Sequence, residues 1–109
     1  MCGISVICGP GRAGVTLDRL RGMHERIAHR GPDGEGWLAV DQDWRVFTAP
    51  TEHDLRNAVG DRPVRIAAAF RRLAIQHLGP AGTQPMASPR GGRWILFNGE
   101  VYNPADLRQ

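Results

Sequence analysis

The sequence predicts one mixed domain of strands and helices, and three observations carry that expectation. Its 109 residues suffice for one domain of ordinary size and not for two. Apolar residues make up 41% and charged residues 23%, a balance that a packed soluble core needs. Short apolar runs bounded by Gly and Pro alternate with a stretch whose apolar residues recur at helical spacing. The same composition excludes a collagen-like, coiled-coil or wholly disordered chain. Nothing approaches the ~18 uninterrupted apolar residues of a membrane span.

Taken in order, Gly3 to Cys8 reads as a buried strand closed by Gly9-Pro10-Gly11. Thr16 can cap a helix running to about Ala28, with Leu17, Leu20, Met23 and Ile27 on one stripe. Gly31-Pro32-Asp33-Gly34 stops it, because a residue before proline avoids the helical region. Trp37–Val40 and Arg45–Phe47 form a hairpin around Asp41-Gln42-Asp43. Thr51 to Gly60 is polar and holds one short helix. Val64 to Phe70 is a buried strand, Leu78 to Gly92 a loop rich in Gly and Pro, and Trp94 to Phe97 a further strand. Asn98-Gly99 turns it so that Val101-Tyr102 pairs back, and Pro104 opens a last helix. No repeat, linker or low-complexity tract interrupts the series.

The net charge is +3, and all fourteen basic residues are arginines. They are scattered among acids with no interleaved aromatics, unlike the concentrated patch of a nucleic-acid surface. A compositional habit and a solvated surface account for them. The two cysteines, Cys2 and Cys8, point to the same face of an alternating strand and lie too far apart for a disulfide. Their spacing fits no zinc pattern, so no metal site is expected. A reducing compartment follows. The opening apolar stretch is too short for a secretory signal and has no basic residue before it, so cytoplasmic residence is expected.

Three places carry candidate chemistry. Once Met1 is removed, Cys2 has its thiol and a free α-amine on one residue. An α-amine titrates near ~7.7–8.0 and a thiol near ~8.5, so passing the proton between them is uphill by only ~1 kcal/mol. The residue then carries its own nucleophile and base. Asn98 and Gly99 can offer a side-chain amide and a backbone N–H to a developing oxyanion, each donor typically worth ~2.7–4 kcal/mol of barrier. Arg72, beyond the apolar run ending at Phe70, can grip an α-carboxylate in the planar two-bond fork that lysine cannot copy, while Arg71 points the other way. Each also has a plain structural explanation. Cysteines are often buried in strands, Asn-Gly is a favoured hairpin turn, and an arginine at a strand end is commonly a surface residue. Cys8 reads as core.

The three places recur together in a recognisable order. Met1-Cys2-Gly3-Ile4, His29-Arg30-Gly31-Pro32-Asp33-Gly34, Arg72-Leu73-Ala74-Ile75, Gln84-Pro85-Met86, Phe97-Asn98-Gly99-Glu100-Val101-Tyr102-Asn103 and Leu107-Arg108 span almost the whole chain. In this the chain resembles the amino-terminal glutaminase domain of class II glutamine amidotransferases, specifically the glutamine-hydrolysing asparagine synthetase family. The resemblance implies an α+β Ntn-hydrolase sandwich, αββα, with two antiparallel sheets between helical layers. It implies that Cys2 attacks the glutamine side-chain amide, with its α-amine as base, and that Asn98 and Gly99 form the oxyanion hole. Arg72 would bind the substrate carboxylate, Leu73, Ala74, Ile75 and Gln76 would line the wall, and Glu100 would sit near the substrate's α-amine. The loop from His29 to Asp33 would position the site without catalysing.

The resemblance covers roughly the first half of the family's glutaminase domain, so residues 1–109 are expected to be a truncated portion. The acid completing α-amine recognition would lie beyond residue 109. So would the synthetase domain, which would use ATP and magnesium to make asparagine from aspartate, within an enzyme that can form a homodimer. No cofactor is expected in this chain itself. Relatives making other amides share much of the pattern, so a glutaminase serving a different synthetase is an alternative, as is an inactive truncated remnant or a degenerate domain that only binds a partner. The stretch from Thr48 to Pro63 looks longer than in typical relatives and is expected to be a surface loop. Phe70 stands where relatives often carry a polar residue or histidine.

Overall fold

A computed structural model describes residues 2–9, 15–73, 79, 82–99 and 102–108. Four strands form an antiparallel sheet in the order β1-β4-β2-β3: β1 (Gly3–Cys8), β2 (Gly34–Asp41), β3 (Val46–Ala49) and β4 (Val64–Arg72). Strands β5 (Met86–Ala87) and β6 (Trp94–Ile95) make a separate two-stranded antiparallel ribbon. Helices α1 (Leu17–Arg26) and α2 (Glu52–Val59) pack on one face of the large sheet, and a short α3 (Pro104–Leu107) has Pro104 in its first turn. The described residues are therefore mixed α and β with two antiparallel sheets.

The inner strands β2 and β4 are covered on both faces. Trp37, Ala39, Ala67 and Ala69 face the helices and form one apolar cluster with Leu20, Leu55 and Val59. Leu38, Val40 and Ala68 face the other way, where Ile66 and Leu96 pack on them. Leu96 follows β6, so the ribbon approaches this second face. Burial on both sides explains why the strand sequences read as continuous apolar runs rather than alternating ones. Alanine is a poor strand former, and Ala67-Ala68-Ala69 is extended because neighbours on both sides complete its ladders.

Local chemistry sets the boundaries. Thr16 caps α1 by accepting from Arg19 N–H at 3.2 Å, and Thr51 caps α2 through Asp54 N–H at 3.1 Å. The β2–β3 hairpin closes on Asp41, whose buried Oδ1 accepts from Asp43 and Arg45 N–H, each at 2.9 Å. Trp44 in that turn has a left-handed φ of 64°, and its ring stacks under the Arg65 guanidinium at 4.1 Å.

Several expectations need correction. Met23 is 40% exposed, because the buried stripe of α1 runs through Leu20 and His24 instead. Arg26 ends α1, and a 3₁₀ turn, Ala28–Arg30, follows. Ile27 leans over Gly3, where a Cβ would sit 2.8 Å from its Cδ1. The stretch from Thr48 to Pro63 is not a solvated loop. It completes β3 and carries α2, whose Leu55 and Val59 are fully buried on the sheet. Cys8 is exposed rather than core, since β1 is an edge strand whose second face is open there, as the exposed Val6 also shows. The predicted loop before Gly92 contains β5. Strand β6 stops at Ile95 because the N–H and carbonyl of Phe97 bond the Gln84 side chain, at 2.5 and 3.0 Å, and not a strand. Tyr102 is exposed and belongs to no strand, while Val101, Pro10 and Gly11 lie outside the described residues.

Leu55 has no exposed surface. The Leu55→Ala variant should lose about 2–5 kcal/mol of unfolding free energy, measured from urea midpoints. A loss under about 1 kcal/mol would return α2 to the surface.

Candidate active site

Cys2 sits at the tip of the edge strand β1, beside the end of β4. The pairing Gly3↔Arg71 places Cys2 next to Arg72 and Leu73. Its half-buried, free thiol is held on both sides of one residue. The Leu73 N–H donates to Sγ at 3.3 Å, and Sγ approaches the Leu73 carbonyl at 3.7 Å. The Arg30 Nε–H donates to the Cys2 carbonyl at 3.2 Å. Arg30 ends the 3₁₀ turn, which swings it back from α1 over β1.

The following loop runs along the end of β4. Pro32 bridges Arg72, and Asp33 N–H donates to the Arg72 carbonyl at 2.9 Å. This approach needs Gly31, where a Cβ would lie 2.5–2.7 Å from the Arg71–Arg72 backbone. The Gly-Pro-Asp motif thus acts through its backbone, fastening the strand end that carries Arg72.

Strand alternation puts Arg72 and Cys2 on the ribbon-facing side and Arg71 on the helical side. The Arg72 guanidinium lies over Gly82, where a Cβ would be 2.7 Å from its terminal nitrogen. Arg71 pairs at 3.7 Å with Glu35 Oε2, and the same oxygen lies 3.2 Å from His24 Nε2. His24 is 1% exposed and packs edge-on against Trp37, with ring centroids 4.6 Å apart. Burial lowers its pKa below the ordinary 6.5, and Arg71 lowers it further, against the opposing pull of Glu35. It is therefore neutral at pH 7.

Asn98 and Gly99 follow β6 and are exposed. Among the described residues, no hydrogen bond joins either of them to Cys2. Ala74, Ile75, Gln76 and Glu100 lie outside the described residues. The structure thus brings together Cys2, Leu73, Arg72 and the Arg30–Asp33 loop. Among the described residues, no cluster of His, Cys, Asp and Glu is arranged to hold a metal ion. Likewise, no helix there is long and apolar enough to cross a membrane. Sequence reasoning missed the Leu73 N–H and the Arg30 contact. It also missed the His24–Glu35–Arg71 cluster, whose only sequence signal is His24 lying one helical turn after Leu20.

The profile of the glutamine amidotransferase domain matches residues 52–109, and the chain belongs to that family. The glutamine-hydrolyzing asparagine synthetase 1 of Bacillus subtilis is 30% identical over 112 residues, covering 100% of this chain and 14% of that protein. The second such synthetase of the same organism is 31% identical over 111 residues, covering 99% and 12%. Amidase chry2 of Gibberella zeae is 29% identical over 114 residues, covering 94% and 14%. The chain therefore spans a small part of the length of these relatives. No solved structure matches it.

Two outcomes test this geometry. Gly31→Ala should destabilise the chain by roughly 1–3 kcal/mol through overpacking against β4, read from urea midpoints, whereas an unchanged midpoint would remove the close approach. Because the folded pKa of His24 is depressed, the unfolded chain takes up more protons as pH drops. This contribution to stability is present above ~6.5 and is lost as pH falls through the lower folded value. The urea midpoint should decline below about pH 6.5, and His24→Phe should flatten that decline.

Proposed function

We propose that this chain is the amino-terminal part of an Ntn-type glutaminase, an αββα sandwich spanning residues 1–109, that releases ammonia for an ATP-dependent synthetase. The observation that carries the reading is the Cys2 thiol held by the Leu73 N–H beside Arg72, on one face of the sheet.

Removal of Met1 frees the Cys2 α-amine. The amine takes the thiol proton as Sγ attacks the side-chain carbonyl carbon of glutamine. Negative charge gathers on the carbonyl oxygen, and the Asn98 amide and Gly99 N–H stabilise it when they come within ~3 Å. The C–N bond then breaks, the ammonium returns its proton to the leaving nitrogen, and ammonia departs. Water attacks the thioester, restoring the thiol and releasing glutamate. Arg72 holds the α-carboxylate in a fork, Leu73, Ala74, Ile75 and Gln76 line the substrate, and Glu100 attracts its α-ammonium. Arg30 steadies the nucleophile's carbonyl.

The match to glutamine-hydrolyzing asparagine synthetases supports asparagine synthesis from aspartate as the purpose. ATP and magnesium would serve a synthetase domain outside this chain, in a cytoplasmic enzyme that can dimerise. The match to an amidase favours a second reading, in which the ammonia goes to a different acceptor. The exposure of Asn98 and Gly99, unbonded to Cys2, favours a third, a domain that binds a partner without catalysis.

The glutamine-directed electrophile diazo-oxo-norleucine should label Cys2, and not Cys8, in the protein carrying this chain with Met1 removed. Labelling of neither cysteine selects the non-catalytic reading. Intact mass spectrometry reports the processing. Arg72→Lys should raise the glutamine KM about tenfold or more, from the loss of a charged two-bond contact. An unchanged KM removes the carboxylate role.

A further inference from the structure

We infer that Glu35 and Arg71 are positioning residues for the Cys2 thiol, and that the buried His24 ring is the acid-sensitive lock on them. The inference takes from the proposed function only that Cys2 is the reacting thiol.

Gly3, Arg71 and Glu35 form one cross-strand row on the helical face of the sheet. Cys2, Arg72 and Gly34 are the next positions along the same three strands, with Cys2 and Arg72 facing the ribbon side. The ionic cluster therefore stands directly behind the thiol, one peptide away on both β1 and β4. It ties α1 to β2 and β4 through a single oxygen, since Glu35 Oε2 receives His24 Nε2 at 3.2 Å and Arg71 at 3.7 Å. Leu73, which donates to the thiol, lies two residues beyond Arg71.

The charged groups around His24 set the response to acid. Arg71 faces it from β4, Glu35 from β2, and Glu25 from its own helix. At neutral pH the uncharged ring donates to Glu35, leaving that carboxylate to balance Arg71. A protonated ring places a second cation beside Arg71 and competes for the same oxygen. His24 cannot withdraw, being wedged against Trp37 and 1% exposed. The Arg71 side chain is 21% exposed at a strand end, so it is the partner that yields. The displacement passes along two residues to the Leu73 N–H.

Cys8 supplies an internal reference, because it is exposed near the far end of the same strand. The test is modification of the full chain by 2,2′-dipyridyl disulfide between pH 4.5 and 7.5, with both cysteines quantified by mass spectrometry. Cys8 is read in the same sample, so the Cys2-to-Cys8 rate ratio removes the general fall of thiol reactivity in acid and reports the surroundings of Cys2. The ratio should change at least threefold with one inflection below pH 6.5, while far-UV circular dichroism stays constant. His24→Phe and Glu35→Gln should each abolish the inflection, and Arg71→Lys, which keeps the cation, should retain it. A flat ratio in the native chain overturns the inference, and so does an inflection that survives Glu35→Gln. If His24→Phe does not fold, the Glu35→Gln comparison decides alone. Protection of Cys2 by glutamine is measured in parallel and bears on the glutaminase reading separately. A step without protection keeps the lock and sinks that reading, and protection with a flat ratio does the reverse.

Discussion

Pairing of β1 with β4 is the constraint on which the candidate site depends. Among the described residues the thiol's strand has one neighbour, so its place follows from the Gly3↔Arg71 register. A slip of one residue would turn Cys2 to the helical face and Arg72 away from it. Two features hold the register. Ile27 occupies the space left by the missing Gly3 side chain, and the Arg30–Asp33 segment bonds both Cys2 and Arg72. The inner strand contributes little through its own preference, since its centre is three alanines. Ladders on both sides and apolar cover above and below keep it extended.

The sheet also divides two kinds of chemistry. On its helical side Glu35 joins the buried His24 ring to the partly exposed Arg71 guanidinium. Its other side leaves β1 open, with Val6 and Cys8 exposed. Neighbouring residues of β4 serve opposite sides: Arg71 belongs to the ionic cluster and Arg72 to the face bearing the thiol. Adjacent arginines with different tasks are a direct result of the two-residue period of a strand.

Most of the large sheet was legible in the sequence. The apolar runs, the Asp41–Asp43 hairpin and the Thr16 cap obey local rules, and the structure follows them closely. The Arg71–Arg72 division was legible too, from alternation alone. What was hidden depends on contacts across the sheet. Polar surface residues disguise the docking of α2 on the sheet, because only Leu55 and Val59 are buried. His24 was hidden by its polarity, as no local rule puts a histidine on an apolar stripe until Glu35 is known to meet it. Exposure of Cys8 follows from strand order, which composition does not encode. The motif carrying Asn98 and Gly99 was recognisable, but hydrogen bonds to Cys2 are absent among the described residues, and a motif alone specifies no distance.

Gln84 anchors the ribbon to the main sheet. Its carbonyl rests where a Gly36 side chain would be, and its side-chain amide grips both backbone groups of Phe97, immediately before Asn98. Neither contact reads the side chains of β5 or β6. The residues of β5 and β6 are consequently free to diversify, while the reach of Asn98 is geared to the middle of the main sheet through Gln84 and Leu96. Related chains could reshape the mouth around a different acceptor without disturbing that linkage.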